Sequence, residues 1–314
     1  MSTALPAPTF AGLVTEWTWQ PVALALAVAL AVWYARGVHR LRQSGNVWPR
    51  GRVVLFGTGL AAFVWVTCGF AGAYLDSLFW VWTSQQLALL LVVPYLIMAG
   101  QPLQLAGTAG RRMLRTRFVR VLGNPLIGPA LVPLVSVALF FGPVPGWSIE
   151  ARPFGWFEQV VVLVVGALIV LPLVVADPTR TSLAVGISLA IGMIELVLDA
   201  VPGIALRLHK TVSTSYFDFR AASDWAPGPV HDQQIGGAIL WCVAELLDLP
   251  FLVLVFVLWL KADERDAAEV DAVLDAERIA RGEHEPTVEG EAGPADAPWW
   301  LTDPTMRERM QRPH

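Results

Sequence analysis

The sequence predicts an all-α, polytopic membrane protein of seven transmembrane helices, with its amino terminus outside the cytoplasm and its carboxyl terminus inside. Composition is the first reason. Apolar residues make up 55% of the chain and charged residues 15%, against about 45–50% and about 25% in soluble domains, and mean hydropathy is +0.55. Secondly, the apolar residues fall into runs close to the roughly 20 residues that a helix needs to cross a hydrocarbon slab about 30 Å thick. Thirdly, arginines crowd into alternate connections between those runs.

In order, the runs are Pro21 to Tyr34, Val53 to Tyr74, Leu78 to Gly100, Leu126 to Phe141, Trp156 to Ala176, Ser182 to Leu206 and Ile235 to Leu260. The first reaches spanning length only if Trp17 and Trp19 extend it, and the fourth contains Pro129 and Pro133. Met1 to Thr15 carry no Lys or Arg, so the first run reads as a retained anchor and not as a cleaved signal. Between the first and second runs lie Arg36, Arg40, Arg42, Arg50 and Arg52. After the third come Arg111, Arg112, Arg115, Arg117 and Arg120. Cytoplasmic connections are enriched in such bases, which sets the orientation. The same arginines are expected to set topology and meet anionic lipid headgroups in general, and not to bind nucleic acid or one specific lipid. The expected organisation is an extracytoplasmic segment 1–16, a bundle 17–261 and an acidic cytoplasmic tail 262–314. Within the tail, Lys261 to Arg281 reads as an amphipathic helix with Val270, Val273, Leu274 and Ile279 on one stripe. Gly282 to Pro298, rich in Glu, Gly and Pro, reads as disordered. Trp299, Trp300 and Leu301 then form an interfacial foot on the membrane or a docking peptide.

Ionisable groups inside a span cost roughly 2.5–3.5 kcal/mol each and usually face a bundle interior or a wet cavity. Glu195 and Asp199 share one face of the sixth run. Glu245 and Asp248 share one face of the seventh, below Trp241. Gln85 and Gln86 enter the third run, Glu158 and Gln159 the fifth, and Asp232, Gln233 and Gln234 stand at the mouth of the seventh. Four unpaired carboxylates would cost about 10–14 kcal/mol, so these groups are expected to cluster. The candidate polar cavity, open to the outer face, comprises Gln85, Gln86, Glu158, Gln159, Glu195, Asp199, Asp232, Gln233, Trp241, Glu245 and Asp248. A structural network, with carboxyls bonded to hydroxyls such as that of Thr67, explains the same residues.

Both cysteines, Cys68 and Cys242, fall inside runs, which excludes a secreted disulfide framework; they read as buried small side chains. Soft sulfur ligands select Cu(I), so Cys68 and Cys242 are candidate metal ligands beside Met98 and Met193, as are His209 and His231 in the loop after the sixth run. No Walker loop, dinucleotide-binding glycine pattern, zinc-protease helix or nucleophile elbow occurs. The absence of histidine from the runs argues against haem held between helices.

One set of motifs carries a family likeness over about residues 17 to 261. It includes Trp48-Pro49-Arg50-Gly51-Arg52, then Gln85 and Pro94 through Gly100-Gln101-Pro102, then Glu158 with Gly166 and the Asp177-Pro178 turn. Asp232-Gln233-Gln234 with Gly237 and Trp241 is its most specific part. In these the chain resembles the CtaG-type assembly factors of caa-type cytochrome c oxidases, as a divergent member, and its tail, from Asp263-Glu264-Arg265 to Trp299-Trp300-Leu301-Thr302-Asp303-Pro304, resembles actinobacterial ones. The resemblance implies a non-enzymatic factor in a bacterial plasma membrane, partnered by oxidase subunits and the lipid bilayer, with copper as candidate cargo near the outer leaflet. Relatives usually carry His-x-x-Gln-His in the third span and His-x-x-x-His in the fifth. Trp82, Gln86, Gly155 and Gln159 stand at those histidine positions here. Two other readings remain open: a cation or proton-linked transporter using the carboxylates, although the sequence displays no interrupted helix pair, and a degenerate structural scaffold.

Overall fold

A computed structural model describes residues 6–114, 116, 127–174, 182–221 and 223–281. All regular structure among them is helical: α1 Gly12–Thr15, α2 Pro21–Gln43, α3 Arg50–Cys68, α4 Phe70–Tyr74, α5 Phe79–Leu87, a π-helical turn Ala88–Val92, α6 Val93–Ala99, α7 Pro102–Leu105, α8 Gly107–Leu114, α9 Ile127–Phe141, α10 Val144–Glu150, α11 Arg152–Val174, α12 Ser182–Leu208, α13 Tyr216–Phe219 and α14 Pro229–Ala280. Four of the described stretches are long and apolar enough to cross a membrane: Pro21–Gln43, Arg50–Tyr74, Phe79–Ala99 and Arg152–Leu171.

Several expected ends move. The first run continues as helix to Gln43, so Arg36, Arg40 and Arg42 lie on α2 and not in a loop. Arginine is a good helix former and is favoured in a last turn, where the helix dipole is negative. The second run breaks at Gly69, which is extended at φ −83° and ψ −150° and donates its N–H to Trp65 O at 2.9 Å. The third run is interrupted as well, by the π turn. Two consecutive apolar runs are thus interrupted, which corrects the expectation of unbroken helices.

Pro94 explains part of the second interruption. In α geometry a proline has no N–H for the carbonyl four residues back, here Leu90, and its ring crowds that carbonyl; π turns are a usual accommodation. Leu90 O then lies where only a glycine fits on the facing helix, because a Cβ at Gly166 of α11 would overlap it and would stand 2.6 Å from Pro94 Cγ. Gly166 thereby brings α11 against the distorted part of the third run.

Polar locks join the helix ends in two groups. In one, Tyr34 Oη donates to Gly100 O (2.9 Å) and accepts from Trp48 Nε1 (3.1 Å). Tyr34 also stacks on Phe56 at 3.8 Å, and Arg52 donates to Gln104 Oε1 at 3.0 Å. Trp48, through Tyr34, therefore fastens α2 and the start of α3 to the end of α6, and Arg52 fastens α3 to α7. In the other group, Tyr216 Oη donates to Leu75 O (2.7 Å), Arg220 Nε to Ser77 O (2.9 Å), and Arg152 pairs with Asp76. Between the two groups lies the core, where Trp82 packs edge-on to Phe140 at 5.5 Å and beside Phe79 and Tyr216. Close backbone approach of α12 and α14 depends on Gly203 and Gly237: a Cβ at Gly203 would stand 2.6 Å from Trp241 N, and one at Gly237 the same distance from Arg207 N.

Beyond Asp263 the chain forms a second unit, starting at Glu264. Its described part is helical through Ala280, with exposed Asp275–Arg278 and Glu277–Arg281 pairs at 3.6 and 3.7 Å, of a kind worth little. Val270, Val273, Leu274 and Ile279 are exposed on it. Gly282 to Pro298 and Trp299 to Leu301 lie outside the described residues.

Gly166→Ala is expected to destabilise the protein by about 1–3 kcal/mol, the usual cost of forcing atoms into a packed core. Gly57→Ala, which meets open space, should be near neutral. Thermal unfolding of both variants in detergent checks the contrast.

Candidate functional site

The polar residues of the third and fifth runs meet. Trp82, Gln85 and Gln86 occupy i, i+3 and i+4 on α5; Gly155, Glu158 and Gln159 repeat that spacing on α11, so each set shares one helical face. Gln86 Nε2 donates to Glu158 Oε2 and Gln159 Nε2 to Gln85 Oε1, each at 3.3 Å. Gln85 Nε2 donates on to Val66 O of α3 at 2.9 Å. These rungs tie three helices together. All four side chains are buried, between 1% and 6% exposed, so they are a closed ladder within the bundle. Among the described residues, Gln86 Oε1, Glu158 Oε1 and the nearby Thr83 Oγ1 receive no hydrogen bond, which leaves the ladder short of donors. Thr67, read as a partner for carboxyls, instead donates to Phe63 O at 2.7 Å.

Asp232 and Gln233 are buried elsewhere, each tying loops to helix ends. Asp232 Oδ2 accepts from Phe79 N (2.9 Å) and Oδ1 from Trp80 N (3.1 Å), and Arg220 Nη1 lies 3.6 Å from Oδ2. Leading N–H groups of a helix have no partner within it, and an anion there also meets the positive end of the dipole. Asp232 of α14 therefore caps α5 from about 150 residues away. Gln233 Oε1 accepts from Ser213 N at 2.8 Å, and its Nε2 donates to Thr211 O at 3.2 Å. Sequence reasoning did not single out Arg220 or Ser213; a base in the connection after the sixth run, 14 residues past Leu206 and 12 before Asp232, was the available signal.

Trp241 and Glu245 stand apart from the ladder on α14, where the indole N–H donates to Glu245 Oε1 one turn on. Trp241 is exposed. The side chains of Glu195, Asp199 and Asp248 lie outside the described residues.

The sulfur and imidazole candidates are dispersed. Cys68 is buried, with its Sγ 3.6 Å from Thr67 Oγ1. Cys242 is exposed, which corrects the expectation of a buried thiol: its position on the α14 surface turns it away from the core. Met98 is buried and Met193 exposed. His209 and His231 are exposed, and a His209 ring nitrogen lies against Ala205 O. Among the described residues no three His, Cys, Asp or Glu side chains converge as a metal site would require. The ladder supplies amide groups and one carboxylate. Copper(I) prefers thiolate, thioether and imidazole, so this donor set does not fit it.

Residues 32–262 match the cytochrome c oxidase caa3 assembly factor family, Caa3_CtaG. The chain belongs to that family. Similar curated proteins are the uncharacterized proteins Mb0105 of Mycobacterium bovis and MT0111 of Mycobacterium tuberculosis, each 27% identical over 285 residues. ML1998 of Mycobacterium leprae is 25% identical over 284 residues. Each match covers 86% of this chain and 43% of the relative, so the chain spans less than half the length of these relatives. No solved structure matches it. The caa3 assembly factor family match takes in both sides of the ladder and the Asp232 cap.

Burial is the largest influence on the Asp232 carboxyl and raises its pKa above the ordinary 3.8, opposed by the Phe79 and Trp80 N–H groups and by the charges of Arg220 and His231. The folded chain therefore holds this proton more tightly than the unfolded one. Asp232's contribution to stability is complete below its ordinary pKa and falls as pH rises through the raised one. The stability difference between wild type and Asp232→Asn, followed by denaturation from about pH 4 upward, should narrow in that direction. Asp232→Ala should cost about 1–3 kcal/mol, because the Phe79 and Trp80 N–H groups lose their acceptor.

Proposed function

We propose that this chain is a seven-span assembly factor of a caa3-type cytochrome c oxidase in a bacterial plasma membrane, with its amino terminus outside and its carboxyl terminus in the cytoplasm, and that it acts non-enzymatically by binding oxidase subunits during their maturation. The carrying observation is the family match over residues 32–262, which covers the described apolar helices almost completely. Pairing of Asp76 with Arg152, and of Arg220 with Ser77 O and Asp232, supports the topology. The connections after the second, fourth and sixth runs meet at one end of the bundle, as alternating passes require. The basic connections after the first and third runs meet through Arg52 and Gln104.

In this reading the ladder is the rigid centre of a scaffold and client contact occurs on outer helix faces. Copper delivery through the ladder has no support in its donor set, so subunit binding is the preferred route to oxidase maturation. The domain division at 17–261 and 262–314 belongs to the same proposal, with the acidic segment as a cytoplasmic appendage.

A transporter reading draws on two observations, the paired interruptions at Gly69 and Ala88–Val92 and the unpartnered Glu158 oxygen beside them. Broken helices near an intramembrane carboxylate are common in such proteins. Glu158→Gln separates the readings, because the amide can keep the Gln86 rung while removing a group able to gain or lose a proton. A scaffold variant should retain oxidase assembly within about twofold, an estimate resting on the modest net worth of one hydrogen bond; a carrier should lose cation- or proton-coupled uptake. For the main proposal, the tagged chain should co-purify with oxidase subunits, and its deletion should lower the assembled oxidase measured by its haem spectrum in membranes. Unchanged oxidase in the deletion strain would sink it.

A further inference from the structure

We infer that the carboxyl-terminal half of α2 and the edge of α7 form a binding site for one anionic phospholipid, its phosphodiester held between Arg36 and Arg40 and an acyl chain laid along Ala29, Val32 and Trp33. The site is a groove with a cavity volume of about 690 Å³ between this helix face and Leu105, within the size range of small-molecule sites. Ala29, Val32, Trp33, Arg36 and Arg40 recur at helical three- and four-residue intervals and so share that face. The far wall stands close because Gly37 has no side chain: a Cβ there would be 3.3 Å from Leu105 Cβ, tighter than ordinary packing, so a larger residue would push α7 slightly away from α2.

Charge and depth select the occupant. Among the described residues neither Arg36 nor Arg40 has a carboxylate within ion-pair distance. Two guanidinium groups one turn apart suit the paired oxygens of a phosphate, which arginine binds by two parallel N–H bonds. Towards the helix middle the lining turns apolar, with Val32 and Trp33 both exposed. From Arg40 back to Ala29 the helix rises roughly 16 Å at about 1.5 Å per residue, near half of a hydrocarbon core about 30 Å thick. A headgroup beside the arginines would thus carry its chain through a single leaflet. A free phosphate would use the basic end alone, and a zwitterionic lipid would set its own choline against the guanidinium charges.

The inference rests on the membrane reading of the chain but not on the oxidase reading. The full chain, extracted in detergent, is mixed with equal phosphatidylglycerol and phosphatidylcholine, and bound lipid is counted by native mass spectrometry. Retention of phosphatidylglycerol about 10- to 30-fold over phosphatidylcholine is expected for two arginines near a headgroup. The preference should fall towards unity in R36Q/R40Q with helicity and elution volume unchanged. It should also weaken in Ala29→Phe, which narrows the apolar floor and spares both arginines. Inorganic phosphate at millimolar concentration should not displace the lipid. Equal retention of the two lipids, full preference in R36Q/R40Q, or displacement by phosphate would each overturn the lipid site. Release of the chain from membranes by alkaline carbonate without detergent would overturn the membrane reading itself.

Discussion

A polar group inside an apolar span has little water to fall back on, so the amides, carboxylates and free helix ends of this bundle find most of their partners on other helices, although Gln86 Oε1 and Glu158 Oε1 receive none. That constraint decides which segments touch. Gln85 reaches a backbone carbonyl of α3 and takes a rung from Gln159, while Gln86 reaches Glu158. At the bundle end, the opening N–H groups of α5 are answered by Asp232, and Arg220 answers Asp232 in turn. An unmet group at such depth costs several kcal/mol, about as much as a large cavity. The same few residues that interrupt the hydrophobic runs therefore set the helix arrangement.

Backbone irregularity serves that arrangement. Pro94 frees a carbonyl at Leu90 and the π turn absorbs the offset. Gly166 lets the facing helix close on the distorted stretch two turns beyond the Gln86–Glu158 rung. At the opposite end of the third run, Gln101 adopts a left-handed conformation, φ 54°, unusual for a residue other than glycine. It reverses the chain into Pro102 and α7, the element whose Leu105 walls the groove beside Arg36 and Arg40. The left-handed turn at Gln101 brings Leu105 to the end of α2, and the missing side chain at Gly37 lets it sit close there.

The helical class and four of the apolar spans were readable from hydropathy, because burial in lipid demands uninterrupted apolar length. So was the spacing of Gln85, Gln86, Glu158 and Gln159, since i, i+3 and i+4 positions must share a face. Their partners were not readable. Whether Gln85 meets Gln159, or Asp232 meets Phe79 N across 153 positions, depends on the relative rotation of helices, and side-chain periodicity alone leaves that free. Cys242 shows the same limit. An apolar run is compatible with either a core-facing or a lipid-facing thiol, and the second holds here. The interruptions at Gly69 and Ala88–Val92 were hidden because every residue flanking them is apolar, so hydropathy runs smoothly through both breaks.

The substituted histidine positions bear on how a member of this family can work. Trp82 is packed by Phe140, Phe79 and Tyr216, and a Cβ at Gly155 would come 2.6 Å from Ser148 O, so one position is filled by an indole and the other has no room for a ring. Gln86 and Gln159 have become rungs between helices. Where the resemblance implies four imidazoles, the three side chains present, those of Trp82, Gln86 and Gln159, are spent on packing and on hydrogen bonds between helices. The centre of this bundle thus holds three helices together. A scaffold with a closed centre can meet another protein only on its faces, and α2 is the least enclosed of the four long apolar helices, with 22% of its most apolar window buried against 44–61% for the others. In a bilayer that open face must be covered by lipid or by a neighbouring helix. The two coverings would compete for the same apolar area, so a lipid at the proposed site and a helix laid along α2 would each weaken the other.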